Sequence, residues 1–184
     1  FTNIDRREWR KMLNGKVAVV TGANRGIGWA TVQKFAEHHA CIWACARRQT
    51  EEFEKNIKTL SEKYATKIHL LYFDVTDADA VKKAVKTIGN SQKRIDVLVN
   101  NAGVSVEQLF SMTTIKVIED CMYTNFMSQV QLAQLVSRYM MKNREGAIIN
   151  VASVAGMEAV EGGLAYGSSK AAVLFSTQTM ALEL

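Results

Sequence analysis

Tyr166 and Lys170 lie four residues apart in a stretch that reads as helix, so their side chains share one face. A free phenol has a pKa near ~10 and is a sluggish acid or base at neutral pH. A neighbouring ammonium favours the phenolate and draws that value toward a working range. The pair therefore suits proton transfer to or from an oxygen. A second chemical feature follows the first apolar run: Thr21-Gly22-Ala23-Asn24-Arg25-Gly26-Ile27-Gly28. Glycines let a backbone turn tightly and approach a pyrophosphate, and the next helix aims its amides and positive dipole end at the phosphates. The spacing is Gly-x3-Gly-x-Gly, one residue longer than the more familiar GxGxxG. Its place between a strand and a helix marks a dinucleotide site rather than a structural turn.

The end of the second strand decides which dinucleotide. A site for NAD usually places a carboxylate there for the ribose 2′-hydroxyl. This chain reads Cys41-Ile42-Trp43-Ala44-Cys45-Ala46-Arg47-Arg48, with Ala46 where the acid is expected. Arg47 and Arg48 follow, and Arg25 sits inside the glycine turn. Guanidinium groups attract a 2′-phosphate and bind it in a forked geometry, so NADP(H) is the expected cofactor. No metal is expected: His38, His39 and His69 lack ligand spacing with acids or cysteines, and no CxxC pair exists.

The elements that position these residues follow from hydrophobic periodicity. Apolar runs at 16–21, 40–46, 67–73, 95–99 and 147–151 read as buried strands. Between them, 26–38, 51–64, a segment from the Asp77 cap to about Ile88, and 115–142 read as helices, and 164–184 reads as a last one. Gly89 and Asn90 read as the stop signal of the third helix. Strand–helix alternation with continuous apolar strands gives an α/β fold, a doubly wound parallel sheet.

Composition sets the outer bounds. The 184 residues carry 48% hydrophobic and 22% charged side chains, an ordinary folded balance, with a formal net charge of +5. There is no proline, where average usage gives roughly nine. Of the net charge, +2 falls in the first eleven residues and the rest reads as spread along the chain, so no nucleic-acid partner is expected. No apolar run reaches the ~18 residues of a membrane helix, and three scattered cysteines point to a reducing, cytoplasmic location. Met12 precedes the first strand and reads as an initiator. Residues 1–11 are then an N-terminal extension, and 12–184 form the dinucleotide-binding domain.

The motifs together resemble those of the short-chain dehydrogenase/reductases over about residues 13–184. They are the TGANRGIG turn, Asn100-Asn101-Ala102-Gly103, Asn125, Ser153, and Tyr166-Gly167-Ser168-Ser169-Lys170, in that order. The resemblance implies hydride transfer between nicotinamide and a carbonyl carbon, with Tyr166 giving its proton to the developing alkoxide. Ser153 is implied to hydrogen-bond the same oxygen, Lys170 to grip the nicotinamide ribose, and Asn125 to hold a water in a proton relay to Lys170. Asp74 and Val75 match the family pair that contacts adenine, a helix-capping Asp being the plain alternative. Asn101, Ala102 and Gly103 match the segment that lies against the cofactor.

Within the family, 101–170 most resembles 3-oxoacyl-[acyl-carrier-protein] reductases of fatty acid biosynthesis, and Arg144 matches an arginine that docks the carrier protein. Sugar-alcohol and hydroxysteroid dehydrogenases share nearly all these motifs and stay open as alternatives. The family pattern continues beyond Leu184 with two further strands, a Pro-Gly turn and a substrate lid, so the fold is expected to be cut short after the helix that follows the fifth strand. A longer protein is the favoured reading of this, a non-catalytic cofactor-binding module the other. The resemblance also implies a homo-oligomer: a tetramer at full length, a dimer for the chain as given, through the helices around 121–141 and after Tyr166.

Overall fold

Five parallel strands in the order β3-β2-β1-β4-β5 form the sheet of the computed structural model, which describes residues 12–184. The N-terminal extension expected at 1–11 lies outside the described residues. The strands are β1 (Val17–Thr21), β2 (Cys41–Ala46), β3 (Ile68–Tyr72), β4 (Val97–Asn100) and β5 (Ala147–Asn150). Helices α1 (Gly26–Glu37), α2 (Glu51–Tyr64) and α3 (Ala78–Gln92) make the first three crossovers. A longer fourth crossover contains α4 (Ile115–Met122) and α5 (Ser128–Asn143), and α6 (Leu164–Glu183) follows β5. The expected doubly wound parallel sheet is the observed fold.

Alternation along the strands divides the core into two layers. Ala18, Val20, Ile42 and Ala44 face α1 and α2, where Val32, Ala36, Phe53, Ile57 and Leu60 cover them. Val17, Val19, Trp43 and Cys45 face the other way, onto Val81, Val85 and Ile88 of α3 and Leu132, Val136 and Met140 of α5. In-register pairing of Val19 with Trp43 on one side and Leu98 on the other aligns the carboxyl ends of β1, β2 and β4 along one rim. That rim is where the glycine turn emerges. The β5 edge is less covered, with Ile149 47% exposed.

Two expectations about helices are corrected. The continuous helix at 115–142 is interrupted by a π-helical turn, Tyr123–Met127, between α4 and α5. The extra residue of a π turn shows no periodicity signal, and this one carries Asn125, whose side chain is fully buried. The third helix does not stop at Gly89 but runs on to Gln92, ending at Lys93 in the left-handed conformation (φ 60°). Gly89 is a packing residue: a Cβ there would lie 2.1 Å from the Tyr139 hydroxyl of α5. The glycine lets α3 and α5 close on each other.

Candidate functional site

A cleft of ~840 Å³ opens above the carboxyl ends of β1, β2 and β4. The glycine turn lines it with Gly22, Asn24, Arg25, Gly26 and Ile27. Gly22 (φ 63°) and Gly26 (φ 56°) sit in the left-handed region, which only glycine enters without strain. A Cβ at Gly26 would meet no protein atom within 4 Å, so its open side faces the cleft. The turn is held from behind. Asn101 Nδ2 donates to the carbonyls of Thr21 (2.9 Å) and Gly22 (3.2 Å), while Thr21 Oγ1 accepts from the backbone of Asn101 and Ala102 (3.0 Å each). Gly28 does not line the cleft. A Cβ there would lie 2.2 Å from the Gly22 carbonyl oxygen, so Gly28 lets the first turn of α1 seat under the loop. No side chain caps α1 and no acid occupies its first turn, which leaves its amides for an anion.

One end of the cleft is lined by Ala46, Arg47, Arg48, Asp74 and Val75. Ala46 is buried and offers no carboxylate, whereas Arg25, Arg47 and Arg48 are exposed along the rim. Asp74 does not cap α3; Asp77 does, accepting from Asp79 N (3.0 Å) and Ala80 N (2.9 Å). Asp74 Oδ1 instead accepts from Thr76 N (2.9 Å) and Thr76 Oγ1 (2.7 Å). The backbone bond, with the hydroxyl and the Arg47 charge adding to it, holds the Asp74 carboxyl below its ordinary range. Cys45 also borders the cleft, but burial pushes its thiol up to about 12, so it is an inert wall.

Asn101, Ala102 and Gly103 line the opposite wall. Next to them Asn125 clamps Val104 by both backbone groups, Oδ1 accepting from Val104 N (2.8 Å) and Nδ2 donating to Val104 O (2.9 Å). Asn125 Nδ2 also donates to Ser169 Oγ (2.9 Å), which donates in turn to Tyr166 O (2.7 Å). The Asn125 side chain is therefore committed to protein partners. It ties this wall of the cleft to the turn of α6 that bears Tyr166 and Lys170.

Lys170 is buried, and its Nζ donates to Val151 O (2.6 Å) at the end of β5. The same Nζ stands 5.8 Å from the Tyr166 ring centre, so the expected i, i+4 pairing is present. Desolvation pulls the Lys170 pKa down. Ser153 caps the short 3-10 turn Val154–Gly156, its Oγ accepting from Ala155 N (3.2 Å). That turn is pressed onto α6 by two glycines. A Cβ on Gly167 would lie 2.6 Å from Ala155 O, and one on Gly156 would lie 2.7 Å from Ala171 N. The motifs contain Gly156, Gly167 and Ser169 without giving them a role; their signal is smallness, which sequence alone does not separate from loop or helix filler. Arg144 lies elsewhere. It ends α5 in the left-handed conformation and borders a separate ~750 Å³ groove between α5, β5 and α6.

Comparison with known proteins places this geometry. The family model described as short chain dehydrogenase matches residues 16–184. The 3-oxoacyl-[acyl-carrier-protein] reductase of Thermotoga maritima is 36% identical over 172 residues, covering 94% of this chain and 69% of that protein. The reductase of the same name from Vibrio harveyi is 36% identical over 171 residues, covering 93% and 68%. Among solved structures, an NAD+-bound xylitol dehydrogenase superposes with a TM-score of 0.86 at 31% identity, over 94% of this chain and 66% of that one.

Proposed function

The chain belongs to the short-chain dehydrogenase/reductase family, and on that premise we propose that it serves an NADP(H)-dependent reduction of a 3-oxoacyl thioester to the 3-hydroxy compound. The observation that carries this reading is a cleft with glycines at the phosphate turn, Arg25, Arg47 and Arg48 on its rim and no acid at Ala46. These residues fit a phosphorylated dinucleotide. The α1 amides and Gly22, Asn24, Gly26 and Ile27 would take the pyrophosphate, Arg25 and Arg47 the 2′-phosphate, and Asp74 and Val75 the adenine. Asn101, Ala102 and Gly103 would lie against the nicotinamide half.

A nicotinamide dinucleotide bound there supplies the hydride that reduces a carbonyl carbon. Tyr166 Oη donates the proton that the carbonyl oxygen needs as it becomes an alkoxide. Ser153 Oγ donates a hydrogen bond to the same oxygen and orients it. The Lys170 ammonium favours the phenolate left on Tyr166 and reaches for the nicotinamide ribose. Asn125 holds the π turn against Val104 and Ser169, beside the turn of α6 that bears Tyr166 and Lys170.

Support for the acyl substrate is the 36% identity to two proteins of that name. A carrier-protein contact at Arg144, a homo-oligomer through α4–α6 and a cytoplasmic location belong to the same reading. The second reading is an NAD-linked sugar-alcohol dehydrogenase, favoured by the likeness to xylitol dehydrogenase. Replacing Tyr166 with Phe removes only the phenolic oxygen. Turnover of a 3-oxoacyl thioester with NADPH should fall by about 10²–10⁴-fold while cofactor binding survives. Xylitol oxidation with NAD+ exceeding acyl reduction with NADPH would decide for the second reading.

A further inference from the structure

Four of the cations that are scattered in the sequence meet on one face of the fold. Helices α3 and α5 carry Lys82, Lys83, Lys86, Arg138 and Lys142, with Asp79 their one acid. Four of the five line a shallow groove of ~350 Å³ between the two helices. Lys82 and Lys86 form one wall and Arg138 and Lys142 the other, each pair at i, i+4 and so about one helical turn apart. Asp79 is engaged with Lys82 at 3.0 Å. Lys86, Arg138 and Lys142 form no ion pair among the described residues. The floor is apolar: Val85, Leu135 and the ring of Tyr139, the last set low by its contact with Gly89.

We propose that this groove docks an acidic amphipathic helix of a protein partner. A helix laid along it would rest an apolar ridge on Leu135 and Tyr139 and turn carboxylates to both walls. Two parallel rows of cations one turn apart match carboxylates that recur at i, i+4 on each flank of such a ridge. A single-stranded nucleic acid would want several exposed ring faces for stacking, and Tyr139 is the one aromatic in the groove. A bilayer would want protruding apolar anchors, and Val85 is buried while Leu135 and Tyr139 are half-covered. The groove lies on the flank of α5 turned to α3. It is separate from the cofactor cleft and from the groove bordered by Arg144.

The test is fluorescence anisotropy of a labelled helical peptide with a leucine ridge flanked on both sides by glutamates at i, i+4. The 184-residue chain should bind it, and affinity should weaken steeply with added salt. The double variant Lys86→Glu/Arg138→Glu should lose at least about tenfold in affinity. A control pair on α2, Lys55→Glu/Lys58→Glu, should bind as the parent does, and so should fold integrity by circular dichroism remain unchanged in both. A glutamine version of the peptide should not bind. Equal loss in the two double variants, or no binding to the parent, overturns the proposal. Tighter binding of a thymidine oligonucleotide or of phosphatidylserine vesicles through Lys86 and Arg138 also overturns it, in favour of that ligand class. None of these outcomes depends on turnover, so they stand apart from the proposed reductase activity.

Discussion

Replacing Gly167 with Ala perturbs the seam between the turn that Ser153 caps and the helix that bears Tyr166, without touching either side chain. The new Cβ would lie 2.6 Å from Ala155 O, where ordinary contact begins at 3.4 Å. The Val154–Gly156 turn must therefore lift by about 0.8 Å from α6, and neither side can yield through a side chain because the clash is with backbone. Overpacking of this kind costs about 1–3 kcal/mol, offset by roughly 1 kcal/mol from the better helix propensity of Ala. Net stability should fall by only about 0–2 kcal/mol, a few degrees in Tm. Activity should fall much further. A displacement near 1 Å between reacting groups costs on the order of 10²-fold, so kcat should drop by about 10- to 100-fold. The assay pairs thermal unfolding with NADPH consumption on a 3-oxoacyl thioester, and an NADPH titration checks that the cofactor cleft is intact. Near-parental kcat in a folded Gly167→Ala chain would refute the role given to this contact, as would equal losses in kcat and NADPH affinity.

Charge reversal at the rim, Arg47→Glu, should weaken NADPH by about 10- to 100-fold and leave NADH within a few-fold, read as Kd by fluorescence. For Asp74, the folded pKa lies below the ordinary 3.8, so its stabilisation is present above that value and is lost as pH falls through the folded pKa. Thr76→Val removes the hydroxyl donor and keeps the backbone one; a carboxyl NMR titration should show the Asp74 midpoint moving part of the way back. Lys170 has the same sign of slope in an alkaline window. Its folded pKa lies below 10.5, so the folded state binds fewer protons and stability should rise with pH between the folded value and 10.5. Lys170→Met should flatten that slope in urea unfolding curves.

Much of the fold and part of the candidate site are legible in the residues themselves, because those signals are local. Uninterrupted apolar runs such as Val17–Thr21 mark strands buried on both faces, and the Gly22–Gly28 spacing marks the turn after the first of them. Tyr166 and Lys170 share a face by helical arithmetic alone, and Ala46 followed by two arginines states the charge at the cleft rim. A local reading also misplaces things whose cause is distant. Gly89 looks like a helix stop until Tyr139 is seen against it, and the π turn at Tyr123–Met127 leaves no mark in the periodicity. Asn125 takes its expected water-holding role from the resemblance alone, and the fold adds what no local signal carries, the bonds of its amide to Val104 and Ser169.

The sequence by itself determined the alternation of elements, the glycine turn and the shared face of Tyr166 and Lys170, since each depends on neighbours within a turn or a strand. Only the tertiary structure decided which small residues are contacts. Gly156 and Gly167 matter because two backbones from separate elements approach within reach of one missing Cβ. The same holds for charge. Lys82 and Lys86 are remote from Arg138 and Lys142 along the chain, and packing of α3 on α5 makes them the two walls of one groove.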